Sequence, residues 1–319
     1  MKVLLASSEV VPFAKTGGLA DVCGALPIEL QKLGHDVAVF LPAYRSTFGC
    51  GVPIEEIDLR FPTPVGSKMV EGTLLKSHLP GSNIPVYLVQ QHDYFDREGL
   101  YQENGEDYKD NCERFVFFCR FLLESLPRLE WIPDLLHTND WQTGLLPAYL
   151  KTVYADDPTF QNIATLMTIH NLAYQGSFWH WDMLLTGIDW QYFNWRQMEF
   201  YGRLNLMKTG LVFSDGLSTV SPRYSQEIQT PEQGHGLDPV LRERSDDLVG
   251  ILNGIDTSVW DPQTDPHIAT NYSADNWKTG KASCKADLQE AFGLAQDPHV
   301  PLIGIVGRIA SQKGWSLIL

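Results

Sequence analysis

The chain has 319 residues, 44% of them hydrophobic and 20% charged, enough apolar material for a large core and too little bias for a disordered polymer. Its 39 acidic against 24 basic side chains leave a formal charge of -15, which repels phosphate backbones and anionic lipid, so neither nucleic acid nor membrane is expected as a partner. Five scattered cysteines, Cys23, Cys50, Cys112, Cys119 and Cys284, match neither a disulfide framework nor a zinc site and predict free thiols in a reducing compartment.

The N-terminal apolar run is too brief for a signal peptide or a membrane span, so the expected location is the cytoplasm, or the plastid stroma for a processed plant protein. A first strand is predicted over residues 3–7, followed by a helix whose Leu19, Val22, Leu26, Leu30 and Leu33 fall three or four apart. A strand over 37–41 precedes a stretch rich in Gly and Pro, 49–83, that predicts a hairpin or irregular structure. Then come a strand over 86–90, a helix with Phe115, Phe118, Leu122 and Leu126 on one stripe, and strands over 135–138, 165–169 and 217–220. Apolar runs alternating with helical patterns predict an α/β protein with a parallel sheet of βαβ units. The charged run 242–247 marks a boundary, giving a first domain over 1–245 and a second over 246–319. The second is expected to open with a strand over 248–252, a helix over 282–292 and a strand over 302–306, only part of a sheet.

In such sheets ligands bind beyond the carboxyl ends of the strands, so the residues after each strand carry the chemistry. After the first strand stands Lys15-Thr16-Gly17-Gly18-Leu19-Ala20-Asp21. A glycine pair opening a helix beside a lysine offers N–H groups, a dipole and a full charge to a phosphate. The spacing is neither Walker A nor GxGxxG, and the same pair also reads as a tight turn. Asp140 and His170 each follow a predicted strand, so both could face one cleft, the carboxylate orienting hydroxyls and the imidazole exchanging a proton. They read equally as a helix cap and as the satisfied polar end of a core strand. Gly307-Arg308 through Lys313-Gly314 sets two cations in a loop suited to a diphosphate, or to solvent.

Taken together, the Lys15–Asp21 run, Asp140-Trp141, His170-Asn171-Leu172-Ala173-Tyr174-Gln175-Gly176, Asn253-Gly254-Ile255-Asp256 and Arg308 to Lys313 resemble the ordered motifs of bacterial glycogen synthases and plant or cyanobacterial starch synthases. The resemblance spans essentially the whole chain. It implies a GT-B fold: a Rossmann-like N-terminal domain, then a second Rossmann-like, nucleotide-binding domain present only in part. It implies a retaining hexosyltransferase moving glucose from ADP-glucose to the non-reducing end of an α-1,4-glucan, with no metal and no cofactor besides the donor substrate. By likeness Asp140 and His170 are catalytic. Lys15, Gly17 and Gly18 approach the donor phosphates, Asp21 the nucleotide, His170 and Asn171 the donor glucose, and Tyr101 lines the cleft with Asp140. Asn253 lies at the domain junction, and Arg308 and Lys313 meet the diphosphate. This sequence departs from bacterial members in carrying Asn139 where they commonly have His. Two rivals follow from the same residues: a non-catalytic glucan-binding protein, suggested by nine Trp and twelve Tyr, and a nicotinamide-dependent dehydrogenase, which the missing glycine fingerprint disfavours.

Overall fold

The computed structural model describes residues 1–307 and 313–318, which divide into two compact units, Met1–Gly254 and Ile255–Leu319. In the first, β1 (Lys2–Ala6), α1 (Gly18–Lys32) and β2 (Asp36–Pro42) form the opening βαβ unit. An antiparallel hairpin, β3 (Glu55–Val65) and β4 (Lys68–His78), leads to β5 (Pro85–Gln90). Next come α2 (Asn111–Arg128), β6 (Leu135–Asn139), α3 (Leu145–Lys151) and β7 (Ala164–Ile169). The unit ends with α4 (Leu206–Phe213), β8 (Gly216–Thr219), α5 (Pro222–Glu227) and β9 (Leu248–Gly250).

Nine strands form one sheet in the order β9-β8-β7-β6-β1-β2-β5-β4-β3, parallel from β9 through β5 and antiparallel across the hairpin. The chain winds outward from β1 through β2 to β5, then returns to place β6 against the other edge of β1. The crevice between β1 and β6 is therefore the topological switch point, where doubly wound sheets take their ligands.

Strands β1, β2 and β6 are buried along nearly their whole length, as near-continuous apolar runs require of a sheet covered on both faces. Helix α2 supplies one cover. Its predicted stripe, Phe115, Phe118, Leu122 and Leu126, is fully buried, and Phe121 stacks on Phe61 of the hairpin with ring centroids 4.2 Å apart. Gly72 makes the contact possible: a Cβ there would lie 2.6 Å from the Phe117 ring.

Two sequence expectations are corrected. In α1 the buried row is Leu19, Ala20, Cys23 and Pro27, and Leu33 is 74% exposed at the C-cap. The helix is thus rotated so that Cys23 comes under Ser7, whose hydroxyl hydrogen-bonds its thiol, and burial pushes that thiol up to about 12. The apolar segment after the charged run does not open a new sheet: β9 pairs in parallel with β8, so the first unit extends to Gly254 rather than ending near 245. Its backbone pairs the edge of β8, while Val249, Ile251 and Leu252 stay exposed.

The second unit carries one long helix, α6 (Trp277–Ala291), where the sequence predicts 282–292. Residues 302–306 are not a strand, because no described strand of this unit pairs with them, and Ile303 and Val306 are exposed. No helix among the described residues is long and apolar enough to cross a membrane.

Candidate functional site

The sequence places its motifs after β1, β6 and β7, and the fold brings those three strand ends side by side because β1, β6 and β7 are neighbours in the sheet. At the end of β1 the chain runs Ser7-Ser8-Glu9, all buried. The Glu9 carboxylate turns onto the loop before α1. Its Oε2 accepts from the backbone N–H of Thr16 at 2.5 Å and of Gly17 at 3.1 Å, and its Oε1 accepts from the Thr16 hydroxyl at 2.7 Å. Tyr101 completes the arrangement, its hydroxyl 2.9 Å from Glu9 Oε1 and 2.7 Å from Ser8 Oγ. A buried carboxylate surrounded by four donors is satisfied, so it can stay in place and hold the loop in shape.

This geometry redistributes the donors expected of the glycine pair. The amides of Thr16 and Gly17 face Glu9 rather than outward, leaving the first turn of α1 as the donor set. Gly17 is the N-cap residue and no side chain caps that turn. A Cβ on Gly17 or Gly18 would meet nothing within 4 Å, so packing does not require these glycines; they keep open the space in front of the helix dipole. Lys15 Nζ pairs with Asp21 Oδ1 at 2.6 Å with both side chains half exposed. Such a pair is worth less than about 1 kcal/mol and can exchange for a stronger anion.

Tyr101 reaches Glu9 because α2 pins its loop. The buried Arg114 guanidinium donates to the carbonyls of Tyr94 at 2.7 Å and Leu100 at 2.9 Å and to Asn111 Oδ1 at 2.6 Å, while Asn111 Nδ2 donates to the Tyr101 carbonyl at 2.9 Å.

Asp140, just past β6, has φ +56 and ψ -174, close to a region that only glycine enters readily, at a cost on the order of 1–3 kcal/mol. The reading as a helix cap does not hold, since its side chain makes no capping bond to the turn that follows. Instead Oδ1 accepts from His170 N–H at 2.7 Å and from Asn171 N–H at 3.4 Å, tying the ends of β6 and β7 together. Burial raises this carboxyl to about 7, against the pull of those two amides and with a push from the Glu9 charge. It is therefore poised to gain or lose a proton near neutrality.

His170 is half-buried, its Nε2 2.9 Å from Asn139 Oδ1. Asn139 Nδ2 donates to the Ala6 carbonyl at 3.1 Å, which turns Oδ1 toward the imidazole. Nε2 must then carry the hydrogen, leaving Nδ1 as acceptor. Burial, with His137 nearby, holds His170 down at about 3, so at neutral pH it is an uncharged hydrogen-bonding group and not a titrating one. The structure thus gives a use to Asn139, the departure from the bacterial pattern.

Trp141 anchors the cluster from below, with ring centroids 5.0 Å from Phe115, 6.4 Å from Tyr101 and 5.7 Å from Phe178. Gly176, the last motif residue, has φ +59 and faces that indole.

Of the predicted residues, Lys15, Gly17, Gly18, Asp21, Tyr101, Asp140, His170 and Asn171 gather around the β1, β6 and β7 ends. Asn253 is exposed, in the segment after β9. Lys313 is exposed in the second unit, and Arg308 lies outside the described residues. Sequence reasoning missed Glu9 and the pinning residue Arg114. Glu9 left a signal: a carboxylate two residues past a buried strand, beside a glycine loop, needs partners. Among the described residues no group of three His, Cys, Asp or Glu side chains could hold a metal.

An α/β lobe with an anion-ready helix start and a strained carboxylate at its switch point is the framework of a GT-B glycosyltransferase N-terminal domain. The family described as the starch synthase catalytic domain matches residues 2–243, and the chain belongs to it. The glycogen synthases of Rhodopirellula baltica and Syntrophotalea carbinolica are each 47% identical over all of this chain, which spans 65% of their length. The catalytic domain of starch synthase IV from Arabidopsis thaliana, solved with ADP and acarbose, superposes with a TM-score of 0.87 at 32% identity, over 99% of this chain and 64% of that one.

Proposed function

We propose that this chain is the acceptor and donor-sugar side of a retaining glucan synthase that transfers glucose from ADP-glucose to the non-reducing end of an α-1,4-glucan. The observation that carries the reading is the juxtaposition, at one switch point, of the uncapped α1 start with the strained Asp140 and the neutral His170. The relatives' names, and the ADP and acarbose bound to the starch synthase IV domain, support a nucleotide-sugar donor and an oligosaccharide acceptor.

Cleavage of the bond from glucose to phosphate builds negative charge on the departing diphosphate and positive character on the sugar. The α1 dipole and Lys15 favour the first, with Arg308 and Lys313 as further candidates; Lys15 exchanges its Asp21 partner for the anion. The Asp140 carboxylate and His170 Nδ1 are acceptors for glucose hydroxyls, and Asn171 and Tyr101 line the same site. No metal or cofactor enters the scheme.

Radiolabelled ADP-glucose supplied with a maltooligosaccharide to the whole protein is expected to yield a labelled product lengthened at its non-reducing end. Lys15→Ala is expected to weaken donor use ten-fold or more, about 1.4 kcal/mol. Undiminished use removes that cation from the site. A whole protein that neither binds ADP-glucose nor transfers its glucose overturns the reading.

A further inference from the structure

Tyr44 stands two residues past β2, its side chain wholly buried and its hydroxyl without a hydrogen-bond partner. A buried O–H that lacks an acceptor costs free energy that a phenylalanine in the same place would not incur, so its presence asks for a use. The surroundings suggest one. The Ser7 N–H donates to the Phe40 carbonyl at 3.0 Å and keeps the ends of β1 and β2 side by side, which brings the Tyr44 phenol under the influence of Glu9. The Tyr44 ring meets Phe95 edge to face at 5.6 Å. The Arg114 guanidinium lies 5.4 Å from the Phe95 ring and 5.5 Å from that of Phe115, on which Tyr101 packs at 6.1 Å. Tyr44 and Tyr101 thus flank one aromatic stack. Burial pushes the Tyr44 phenol well above its ordinary range, Arg114 opposing and Glu9 adding, so the group is a neutral hydrogen-bond donor near a carboxylate.

Tyr101 holds the position that Tyr44 lacks. A carboxylate only accepts, so the Tyr101 hydrogen points at Glu9 Oε1, 2.9 Å away, and the Ser8 hydroxyl donates to the phenol at 2.7 Å. Tyr101 cannot both hold Glu9 and offer that hydrogen to a ligand. Its departure would strip a buried carboxylate of one of four donors, which costs more than leaving a neutral group unpaired.

We infer, resting on the glucan-synthase reading, that Tyr44 is the stand-in donor for Glu9: when Tyr101 turns its hydroxyl to ADP-glucose, the Tyr44 hydroxyl takes its place on the carboxylate. The exchange keeps the number of bonds to Glu9 unchanged and gives the orphaned hydroxyl an acceptor only in the bound state. Tyr44 is thereby a positioning residue. It touches no substrate, but it holds the loop before α1 in shape while Tyr101 moves. Because the gain is realised when ADP-glucose binds and persists through transfer, it falls on KM and not on kcat.

Urea unfolding and steady-state kinetics of the whole protein, with Tyr44→Phe, Tyr101→Phe and the double variant, test the exchange. Tyr44→Phe alone should unfold at the parent's urea midpoint or above it, yet raise the KM for ADP-glucose about five-fold with kcat within about two-fold. In Tyr101→Phe, where Tyr44 has taken over at Glu9, adding Tyr44→Phe should instead lower the midpoint by about 0.4 M. Thr47→Val, which removes the other orphaned hydroxyl of this turn, should leave KM unchanged. Tyr44→Phe with the parent's KM, or with the same effect on the midpoint in both backgrounds, overturns the exchange. So does a Tyr44→Phe that destabilises the parent, because the hydroxyl then already has a partner, a buried water included. ADP-glucose use by the parent separates the two claims. Normal use without coupling between the tyrosines sinks only the exchange, and coupling in unfolding without binding or transfer of ADP-glucose sinks the synthase reading.

Discussion

Among the described residues no ion pair involves Glu9, yet four donors converge on it and let it shape the loop before α1. Glu9→Gln keeps an oxygen on the two backbone amides and turns its NH2 group toward the Thr16 and Tyr101 hydroxyls, which can accept, whereas Glu9→Ala leaves both amides without their acceptor in a buried place, at about 1–3 kcal/mol. If this loop meets the donor as proposed, Glu9→Ala should raise the KM for ADP-glucose about ten-fold while kcat stays within about three-fold, and Glu9→Gln should change either much less. Steady-state kinetics read the split. A fall in kcat at constant KM would instead make Glu9 part of the chemistry. Asp140 shows the complementary case, a residue of the candidate site whose unusual backbone is explained by what its carboxylate ties together. A non-glycine residue is tolerated at φ +56 because two amides of the next strand end hold its side chain.

Between strands and helices the same reasoning turns on close approach. Gly176 sits at φ +59 with a hypothetical Cβ 2.3 Å from Trp141 Cε3, so Gly176→Ala both strains the backbone and drives the indole off Tyr101 and Phe115. We expect a loss of about 2–4 kcal/mol in urea unfolding together with a blue- or red-shifted tryptophan emission. A variant as stable as the parent would mean the turn can open without cost. Gly176 also shows what was legible in the sequence. The six βα strands of the first unit, the α2 stripe and the strand-end motifs followed from period and position, because buried parallel strands are continuous apolar runs. The rotation of α1 was not legible, since Leu33 and Cys23 look alike to a hydrophobic periodicity while only Cys23 is buried, against Ser7. Nor was the partner of β9: a short apolar run predicts a strand, not which edge it joins. The roles of Glu9, Arg114 and Asn139 depend on contacts across long sequence separations, and spacing does not encode them.

For the whole first unit, the buried ionisable groups set how stability depends on pH. His137, buried against Thr168, is held down at about 4, and His170 at about 3, both by burial. An unfolded imidazole titrates near about 6.5. Between those values the unfolded chain binds more protons than the native one, so this stability is fully present above the unfolded pKa and is lost as the pH falls below it. Asp140 acts in the opposite sense. Its carboxyl, raised to about 7, keeps its proton in the fold over a range where the unfolded chain has lost it, which favours the native state as the pH falls. Two imidazoles held at about 4 and about 3 outweigh one carboxyl raised to about 7, because two groups take up protons in the unfolded chain against one in the fold, so the urea midpoint should be lower near about pH 5 than near about pH 7. His137→Gln, which keeps a hydrogen bond to Thr168 without a titrating ring, should flatten that dependence. A midpoint that rises toward pH 5 would show that the Asp140 term dominates, and an unchanged slope in His137→Gln would show that the buried imidazole is not the group being titrated.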